Sequence, residues 1–529
     1  NLKIKKKINK NMILSNPNQK KIEDLGPQDI IIVGAGTIGL YLAHVINKKN
    51  PHIEITIVES GSEEPTQKFN SYLSESKGKK HSGTLNGRAS GVGGTSHLWG
   101  GQLAEFERLD FEGDSSGWPL DYEEMLSYYN KVYAQLGMRG IQSNETYDKA
   151  YGKLTDVNKK IVRTYTRWLK EPNFYNFFKD DIRNNKKIKI IINTTVNDIK
   201  FNGNKAISIN CITNNLVDIS LRANRFIFAS GTMGINQFFL STQITSNVPW
   251  KKNENVGKYF QDHLGGVIGT LNIKNEKLFR KYFENSWVKG IKVQPKLKFT
   301  SKNRSAQETG AVAFFTYKSK YENSIIRIKQ SLKDIGRNFK VKNIILLIRD
   351  LSLIRKDLIL MIYKFLFKKR VHAIFNLKNS VEVNIHSEQI PIENSAIKIA
   401  NNNILDNGLF KIHTFWSCNG NEAISIKKIS KEVDSFLRIN GIGEVIFNDG
   451  YLEKSNTALI NDFHDTNHQC GGLIISENQE NGVVDKNCKV WGASNVWVAG
   501  SSVFPSSSYA NSTLTALALA ERLAEHCFE

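Results

Sequence analysis

Apolar residues near the start of the chain fall in blocks that predict a strand, a helix and a second strand. Asp29–Val33 is a short apolar run of the kind that forms a buried parallel strand. Leu40–Asn47 has the apolar spacing of a helix, and Ile53–Val58 resembles another buried strand that ends at Glu59. This order predicts an α/β protein with a parallel sheet.

The turn between the first strand and the helix reads Gly34-Ala35-Gly36-Thr37-Ile38-Gly39 and fits GxGxxG. Gly34 suits a tight turn, Gly36 lets the backbone approach a pyrophosphate, and Gly39 allows close packing of helix on strand. Glu59 follows Gly39 by twenty residues and can accept hydrogen bonds from a ribose. A glycine-rich turn without a ligand would explain neither Glu59 nor the spacing. The pattern predicts a dinucleotide and does not separate NAD from FAD.

A second glycine cluster follows in "LNGRASGVGGTSHLWGGQLAEF" at 85–106. Six glycines within fifteen residues exclude an ordinary helix or strand, and they would let the backbone lie against a flat ligand. A flexible linker is the other interpretation, but Arg88, Leu98 and Trp99 are poor linker residues.

The end of the chain has an apolar strand at Val496–Ala499, then "SSYANSTLTALALAERLAEH". Asn511, Ser512 and Thr513 precede an Ala/Leu-rich helix, and helix capping alone would account for them.

The segment 341–370 mixes Ile, Leu and Phe with charges that exclude a transmembrane span. It predicts one or two amphipathic helices that pack on the protein. An interfacial helix on an anionic membrane is the alternative.

Charge and composition narrow the class of protein. The net charge of +21 could suggest nucleic acid, but residues 1–21 carry +7 and residues 318–370 carry +11, so the remainder is nearly neutral. We therefore expect no nucleic-acid partner. Five scattered cysteines without a CxxC pair argue against disulfides and metal sites, and they favour a reducing compartment. The N-terminus lacks the apolar core of a secretory signal. These features predict a cytoplasmic protein, with peripheral membrane contact as a second option.

Several stretches, in order along the chain, resemble the glucose–methanol–choline (GMC) oxidoreductase family of flavoenzymes. Gly93-Gly94-Thr95-Ser96 is similar to the loop that passes the flavin ring, and 117–137 is similar to the segment after it. "RFIFASGTMGINQFFLSTQ", with Ala229-Ser230-Gly231 at its turn, resembles the second FAD strand-turn-helix. "NVGKYFQDHLGG" resembles the VGxxxxDH element, and the stretch from "NHQCGG" to the end resembles the terminal signature.

The resemblance implies a Rossmann-like, discontinuous FAD-binding domain and a substrate domain built on an antiparallel sheet plus helices. The expected FAD-binding segments are 28–115, 190–270 and 465–529. The substrate domain is expected from 116–189 and 271–464, with a basic amphipathic insert at about 318–370. Residues 1–27 are expected to form a flexible basic lead.

The resemblance also implies the chemistry. His468 takes the position of the base, and Asn511, 43 residues later, takes the second active-site position. The last helix would stabilise the reduced flavin through its N-terminal amides. Ser512 stands where the family usually has Pro, and Gly500 where members often have Asp. Motif and resemblance together assign these residues to the cofactor: Gly34, Gly36, Thr37, Ile38, Gly39, Glu59, Arg88, Gly93, Gly94, Thr95, Ser96, Val196, Ala229, Gly231, Gly500, Ser501, Ser512 and Thr513.

Three other histidines have alternative roles. His97 lies in the glycine loop, where some members attach FAD covalently, but it is one place away from the expected position. We therefore expect non-covalent FAD. His464 is a rival base four residues before His468, and Gly471-Gly472 after His468 favours the latter. His263 is expected to be structural.

The predicted function is FAD-dependent oxidation of a CH–OH group, in a sugar or polyol first and a lipid-like alcohol second. Oxygen, a quinone and a protein carrier remain open as electron acceptor. A lyase or decarboxylase of the same fold, a membrane-associated lipid-alcohol dehydrogenase and a purely binding protein are the alternatives.

Overall fold

The computed structural model describes residues 13–67, 73–112, 117–140, 144–152, 154, 160–300, 308–317, 324, 327, 328, 331, 341–355, 359, 363 and 381–528. The strands of this part are β1 Ile13–Ser15, β2 Gln28–Val33, β3 Ile55–Val58, β4 Ser74–Gly78, β5 Gln102–Leu103, β6 Ile161–Trp168, β7 Ile188–Ile192, β8 Thr194–Asn202, β9 Lys205–Thr213, β10 Asp218–Phe228, β11 Leu264–Ile273, β12 Ser286–Val288, β13 Ile291–Phe299, β14 Ala311–Tyr317, β15 Val381–Ser387, β16 Ala396–Ile404, β17 Phe410–Trp416, β18 Gly443–Phe447, β19 His464–Asp465 and β20 Val496–Val498.

Its α-helices are α1 Gln19–Glu23, α2 Thr37–Lys49, α3 Gly83–Asn86, α4 Arg108–Glu112, α5 Tyr122–Gln135, α6 Asn144–Tyr151, α7 Phe174–Asn184, α8 Gly231–Thr245, α9 Glu276–Phe283, α10 Val341–Leu353, α11 Glu422–Ile439, α12 Asn456–Asp462 and α13 Ser512–His526. Short 3₁₀ turns lie at Gly94–His97 and Ser501–Val503.

The parallel sheet has the strand order β1-β7-β3-β2-β10-β20. Ile30, Ile31 and Ile32 of β2 are fully buried on both faces, which is why an unbroken apolar run marks this strand in the sequence. The first half of β10 pairs antiparallel with β9, and its second half pairs parallel with β2. One strand thus joins the parallel sheet to the hairpin of β8 and β9.

Helices pack on this sheet and on one another. The Tyr41 hydroxyl of α2 donates to Glu521 Oε2 of α13 at 2.7 Å. The Tyr129 hydroxyl of α5 lies 2.8 Å from Thr515 Oγ1 of the same α13. The Phe178 ring of α7 packs edge-on against Tyr41. The last helix is therefore a central element of the core.

The second sheet is antiparallel and has the order β18-β11-β15-β14-β13-β6-β5, with β12 paired to β13 and β19 to β11. Helix α11 buries Ile426, Ile429 and Val433 in one apolar core with strand residues such as Val383 and Ile385. β16 and β17 pair antiparallel, and β17 pairs parallel with β4. The predicted fold class, a Rossmann-like domain with an antiparallel substrate sheet, is confirmed.

The predicted domain segments need two changes. In 116–189, helices α5 and α7 pack on α13 and α2, whereas β6 joins the antiparallel sheet. β11 lies largely inside 190–270 but also belongs to the antiparallel sheet. Each of these elements packs where its apolar residues become buried. Local sequence does not show which of the two sheets offers that surface. Two domains, one around each sheet, remain our proposal with these reassignments.

The predicted flexible lead is wrong from residue 13 onward, and residues 1–12 lie outside the described part. β1 pairs with β7, the Asn18 side chain caps α1, and Ile22 is buried. A single buried isoleucine and a three-residue pairing anchor a segment whose composition is otherwise polar.

Of the basic insert 318–370, the structure describes α10 and a few further residues. Asp350 is buried on α10 and accepts hydrogen bonds from Arg327 at 2.9 Å. In the described residues, no helix is both long and apolar enough to cross a membrane.

Candidate active site

The carboxyl ends of the parallel strands meet at one edge of the sheet, which is where open α/β sheets bind ligands. β2 leads into Gly34, β10 into Ala229 and β20 into Gly500. The first two turns lie side by side, because the N–H of Ala229 donates to Val33 O at 2.8 Å. Three segments predicted to contact the cofactor therefore come together at this edge.

Two glycines of the first loop are required by close contacts. Gly34 has φ +107°, and a Cβ there would lie 2.6 Å from Ser230 Cα. A Cβ on Gly39 would lie 1.9 Å from Gly34 O. Any side chain at Gly39 would push α2 away from the end of β2.

The outer side of the same edge is open. A Cβ on Gly36 or on Gly231 would have no atom within 4 Å, and one on Gly500 would meet only Ile38 Cγ1 at 4.0 Å. Thr37 and Ile38 form the first turn of α2, whose N-terminus favours phosphate. The bare backbone and the helix end fit the pyrophosphate of a dinucleotide such as FAD.

The second glycine loop lies directly on the first. The N–H of Gly93 donates to Ala35 O at 2.8 Å, and a Cβ on Gly94 would lie 2.9 Å from Gly36 Cα. The two loops are thus parts of one surface.

Glu59 ties these loops together. Its Oε2 accepts the N–H of Ala35 at 2.8 Å, and its Oε1 accepts those of Gly61 at 2.8 Å and Gly91 at 2.9 Å. Burial raises the pKa of Glu59, while these hydrogen bonds lower it. The structure thus adds a scaffold role to the predicted ribose contact, which stays a prediction.

Side chains of the second loop differ in their surroundings. Ser96 is buried, and its hydroxyl donates to Gly93 O and accepts from Phe174 N, which gives it a structural role. Thr95 and His97 are exposed, and His97 Nδ1 lies 3.2 Å from Gly94 O.

The other predicted cofactor residues have different surroundings. Arg88 donates to Ser74 Oγ at 3.0 Å, and burial lowers the pKa of Arg88 to about 10. Ser501 Oγ donates to Gln469 O at 2.8 Å, beside His468 in sequence. Val196 is buried in the apolar core on β8. Ser512 and Thr513 form the first turn of α13.

His468 and Asn511 are brought into contact at the start of α13. Asn511 Nδ2 lies 2.8 Å from His468 Nε2, and the Asn511 side chain makes no capping bond to its own helix. Two glycines shortly after His468 let its loop pack closely on the rest of the protein. A Cβ on Gly471 would lie 2.0 Å from Tyr259 O, and one on Gly472 would lie 2.2 Å from Asn236 Oδ1.

Hydrogen-bond partners assign the tautomer of His468. His263 Nε2 lies 3.2 Å from Ser507 O, an acceptor only, so neutral His263 carries its proton there and has a bare Nδ1. His468 Nδ1 lies 3.0 Å from that nitrogen and 2.7 Å from Thr466 Oγ1. The His468 proton therefore sits on Nδ1, and Nε2 keeps a lone pair towards Asn511.

Asp262 is the buried anion of this site. Its Oδ1 accepts the backbone N–H groups of His263, Thr466 and His468, and its Oδ2 lies 3.0 Å from His81 Nε2. Burial would raise the pKa of Asp262, but the hydrogen bond from His81 and the nearby histidines lower it to about 2.

Burial also lowers the pKa of His468, to about 3, and that of His263. Asp262 opposes this shift for both histidines. His468 is therefore neutral at physiological pH and able to accept a proton.

One His/Asp cluster in the described part has a composition that suits a metal ion: His81, Asp262 and Asp465. Its ligand atoms already have partners, because Asp465 accepts the N–H groups of Ser82 and Gly83 at 2.7 and 2.8 Å. We interpret the cluster as a hydrogen-bonded support for the histidine pair.

His464, the rival base, faces elsewhere. It is exposed on β19, and its Nδ1 lies 2.8 Å from Asp465 O. Only His464 and Asp465 form a strand, and Asn467 has φ +63°, so the segment 464–468 is not helical and the two histidines do not share a helix face.

A cavity of about 370 Å³ opens beside Asn511. Its wall carries the charged side chains of Glu105, Glu107, Arg167, Lys296 and Lys298. Sequence patterns did not indicate these residues, nor Thr466. Only the "DH" of the VGxxxxDH element pointed towards Asp262 and His263.

Part of the chain matches a known protein family in sequence. Residues 393–520 match the sequence model of the GMC oxidoreductase family. This C-terminal stretch is therefore similar to the GMC oxidoreductases. The match confirms the predicted family resemblance, and with it the oxidoreductase class, FAD as cofactor and alcohol oxidation in general.

Solved structures show the same fold for nearly the whole chain. Pyridoxine 4-oxidase from Mesorbium loti has 14% identity and a TM-score of 0.60, covering 94% of this chain and 98% of its own. A fungal aryl-alcohol oxidase has 13% identity, a TM-score of 0.57 and coverages of 94% and 98%. A formate oxidase has 14% identity and a TM-score of 0.54, with coverages of 94% of this chain and 97% of its own. At such identities, the likeness of these three structures to this chain shows the fold alone. No curated protein matches the chain.

Proposed function

We propose that this protein oxidises a CH–OH group of a small polar alcohol, with His468 as the base and FAD as cofactor. The 2.8 Å contact between Asn511 Nδ2 and His468 Nε2 carries the proposal. Asn511 lines the cavity and also contacts His468, so we place the hydroxyl of a bound alcohol beside this amide and within reach of the neutral imidazole behind it.

The protein's own groups suit the proton transfer. Nε2 of His468 takes the hydroxyl proton, since its Nδ1 proton is retained by Thr466 and His263. The Asp262 carboxylate stabilises the imidazolium that forms. FAD, when bound, supplies the acceptor for the hydride from carbon, which leaves an aldehyde or ketone.

The residues that would hold FAD are those with open backbone and helix N-termini. Gly36, Gly231 and Gly500 leave room for it, and the loop of Gly93 and Gly94 adjoins them. The first turn of α13, at Ser512 and Thr513, favours nearby negative charge.

A sugar or other polyol fits the cavity better than a lipid-like alcohol, because charged and hydroxyl side chains line it. Anaerobic mixing of the FAD-loaded enzyme with sugars, polyols and long-chain alcohols tests this by the loss of flavin absorbance. We expect bleaching by a polar alcohol. Product formation without bleaching would support a lyase or decarboxylase, and absence of flavin would support a binding protein.

Asp262→Asn should retain FAD and slow flavin reduction by about 10–100-fold, as is usual for a group that orients a reacting one. Loss of the negative charge disfavours protonated His468, so the acid limb of the pH profile should move to lower pH. Asp465→Asn is the control: it removes a carboxylate bonded to Ser82 and Gly83 and should change stability without moving that limb. If the acid limb lay at the same pH in wild type and Asp262→Asn, Asp262 would not stabilise protonated His468.

We further propose peripheral contact with anionic membranes through α10. Ile345, Ile348 and Leu353 are 62, 61 and 54% exposed on this helix. The surrounding segment 318–370 carries +11, which suits an anionic surface.

Sedimentation with phosphatidylserine-containing vesicles at low salt tests this contact. We expect the wild type to pellet and a double variant, Ile345→Asn with Ile348→Asn, to bind at least about tenfold more weakly, because two apolar side chains no longer insert. Ile424→Asn is the matched control, since Ile424 is 53% exposed on α11. Wild type that stays in the supernatant would exclude the contact.

A further inference from the structure

Lys296 is a buried lysine on the wall of the cavity. It lies on β13, where Leu297 faces the apolar core and Lys296 and Lys298 face the cavity. Its side chain is only 4% exposed, and its Nζ lies 4.7 Å from the centre of the Phe314 ring. A lysine this deeply buried ordinarily has a carboxylate partner.

The acidic groups of the wall are already engaged by other residues. Glu105 pairs with Arg167 at 2.9 Å and accepts the Tyr133 hydroxyl at 2.7 Å. Glu107 pairs with Lys298 and accepts the Tyr509 hydroxyl. In the part of the chain that the structure describes, no carboxylate pairs with Lys296. The wall thus has one cation more than it has anions.

The excess charge lies next to the reacting groups. Asn511 lines the same cavity, and the charge of Lys296 contributes to the lowered pKa of both His468 and His263. A ligand that spans from Asn511 to Lys296 would have one end at the base and the other at the lysine.

We propose that Lys296 binds an anionic group of the substrate, so that the enzyme selects alcohols that also carry a carboxylate. This inference rests on the proposed function and names the substrate class of the same site. Binding would supply the missing partner of Lys296 and turn the alcohol end towards His468 and Asn511. A hydroxy acid small enough for about 370 Å³ is the expected type of substrate.

Protonation of Lys296 makes this binding dependent on pH. Burial lowers the pKa of Lys296 to about 7, and a bound anion favours the charged form. Affinity for an anion should therefore fall as pH rises above 7, by up to about tenfold per unit.

Other groups around Lys296 do not produce this trend. Burial keeps His263, His386 and His468 neutral above pH 7 by lowering their pKa, and burial raises the pKa of Tyr165. Burial also raises the pKa of Tyr122. The remaining charged or titratable wall groups are hydrogen-bonded or ion-paired, and they are Glu105, Glu107, Arg167, Lys298 and Tyr509.

Matched pairs of alcohols test the proposal. Anaerobic flavin reduction is measured with 6-hydroxyhexanoate against 1,6-hexanediol, and with 4-(hydroxymethyl)benzoate against its amide. We expect the anionic member to be favoured at least about tenfold in half-saturating concentration. Lys296→Met should abolish the preference and Lys296→Arg should keep it. Lys292→Met, on the same strand but over Trp168 rather than in the cavity, should not alter it. Equal use of both members by wild type, or a preference that survives Lys296→Met, would overturn the proposal.

Binding without turnover separates this inference from the proposed function. Hexanoate is titrated into the oxidised FAD-loaded enzyme at pH 6 to 9, with the shift of the flavin spectrum and of the melting temperature as readouts. We expect affinity to fall above pH 7 in wild type, to be lost in Lys296→Met and to be independent of pH in Lys296→Arg. If hexanoate binds in this way while no alcohol bleaches the flavin, the proposed oxidation fails and the anion site stands. If alcohols bleach the flavin and hexanoate does not bind, the proposed oxidation stands and the anion site fails.

Discussion

His468→Ala is expected to leave FAD bound and to slow flavin reduction by about 10²–10⁴-fold, the usual contribution of a general base. The variant removes His468 Nε2, the unprotonated nitrogen that lies 2.8 Å from Asn511 Nδ2. The surface that we propose for FAD is formed by the glycine loops, away from His468 in sequence, and should survive. Stopped-flow absorbance under anaerobic conditions measures the rate, and the flavin-to-protein ratio measures retention.

His464→Ala is the matched control, because His464 is exposed and bonded to the backbone of Asp465. It should reduce flavin at the wild-type rate. The acid limb of the wild-type profile should lie well below pH 6.5, since burial lowers the pKa of His468 to about 3. A slow His464→Ala together with a normal His468→Ala would reverse the assignment of the base.

Gly36→Val is expected to yield folded protein without FAD, and hence without oxidase or dehydrogenase activity. Gly36 has φ −77° and a Cβ there would have no neighbour within 4 Å, so a side chain costs the fold little. The same side chain would fill the space in which the loop backbone approaches a pyrophosphate. The measurements are the flavin content of the purified protein and the melting temperature without FAD.

Gly39→Ala provides the contrast. Its Cβ would lie 1.9 Å from Gly34 O, so α2 must shift and the protein without FAD should lose stability. Gly36→Ala should weaken FAD binding less than Gly36→Val. If Gly36→Val retained full FAD, the open edge of the sheet would not be the cofactor surface.

Glu59 and Asn511 both lie where the sequence predicts them, yet their side chains have contacts that the sequence did not indicate. Glu59 stands at the end of β3 where the spacing predicts it, yet its carboxylate accepts the backbone N–H groups of Ala35 and Gly91 in the two glycine loops and that of Gly61. Asn511 begins α13 as a capping residue would, yet its side chain turns to His468. The place of a residue within a strand or helix depends on its neighbours in sequence. Its hydrogen-bond partner depends on which distant segments pack against it.

The sequence by itself determined the elements whose cause is local. The buried run of β2, the glycine turn into α2 and the Ala/Leu-rich α13 follow from apolar spacing and backbone freedom within a few residues. The resemblance to a family added His468 and Asn511 at a separation of 43 residues.

Only the tertiary structure decided how the site is completed. His263 meets His468 across 205 residues, and Asp262 accepts the His468 N–H across 206. Lys296 reaches the cavity of Asn511 from a strand of the other sheet. Such contacts arise when segments far apart in the chain pack together, and no periodicity along the chain records them. The tautomer of His468 and the unmatched charge of Lys296 are consequences of that packing.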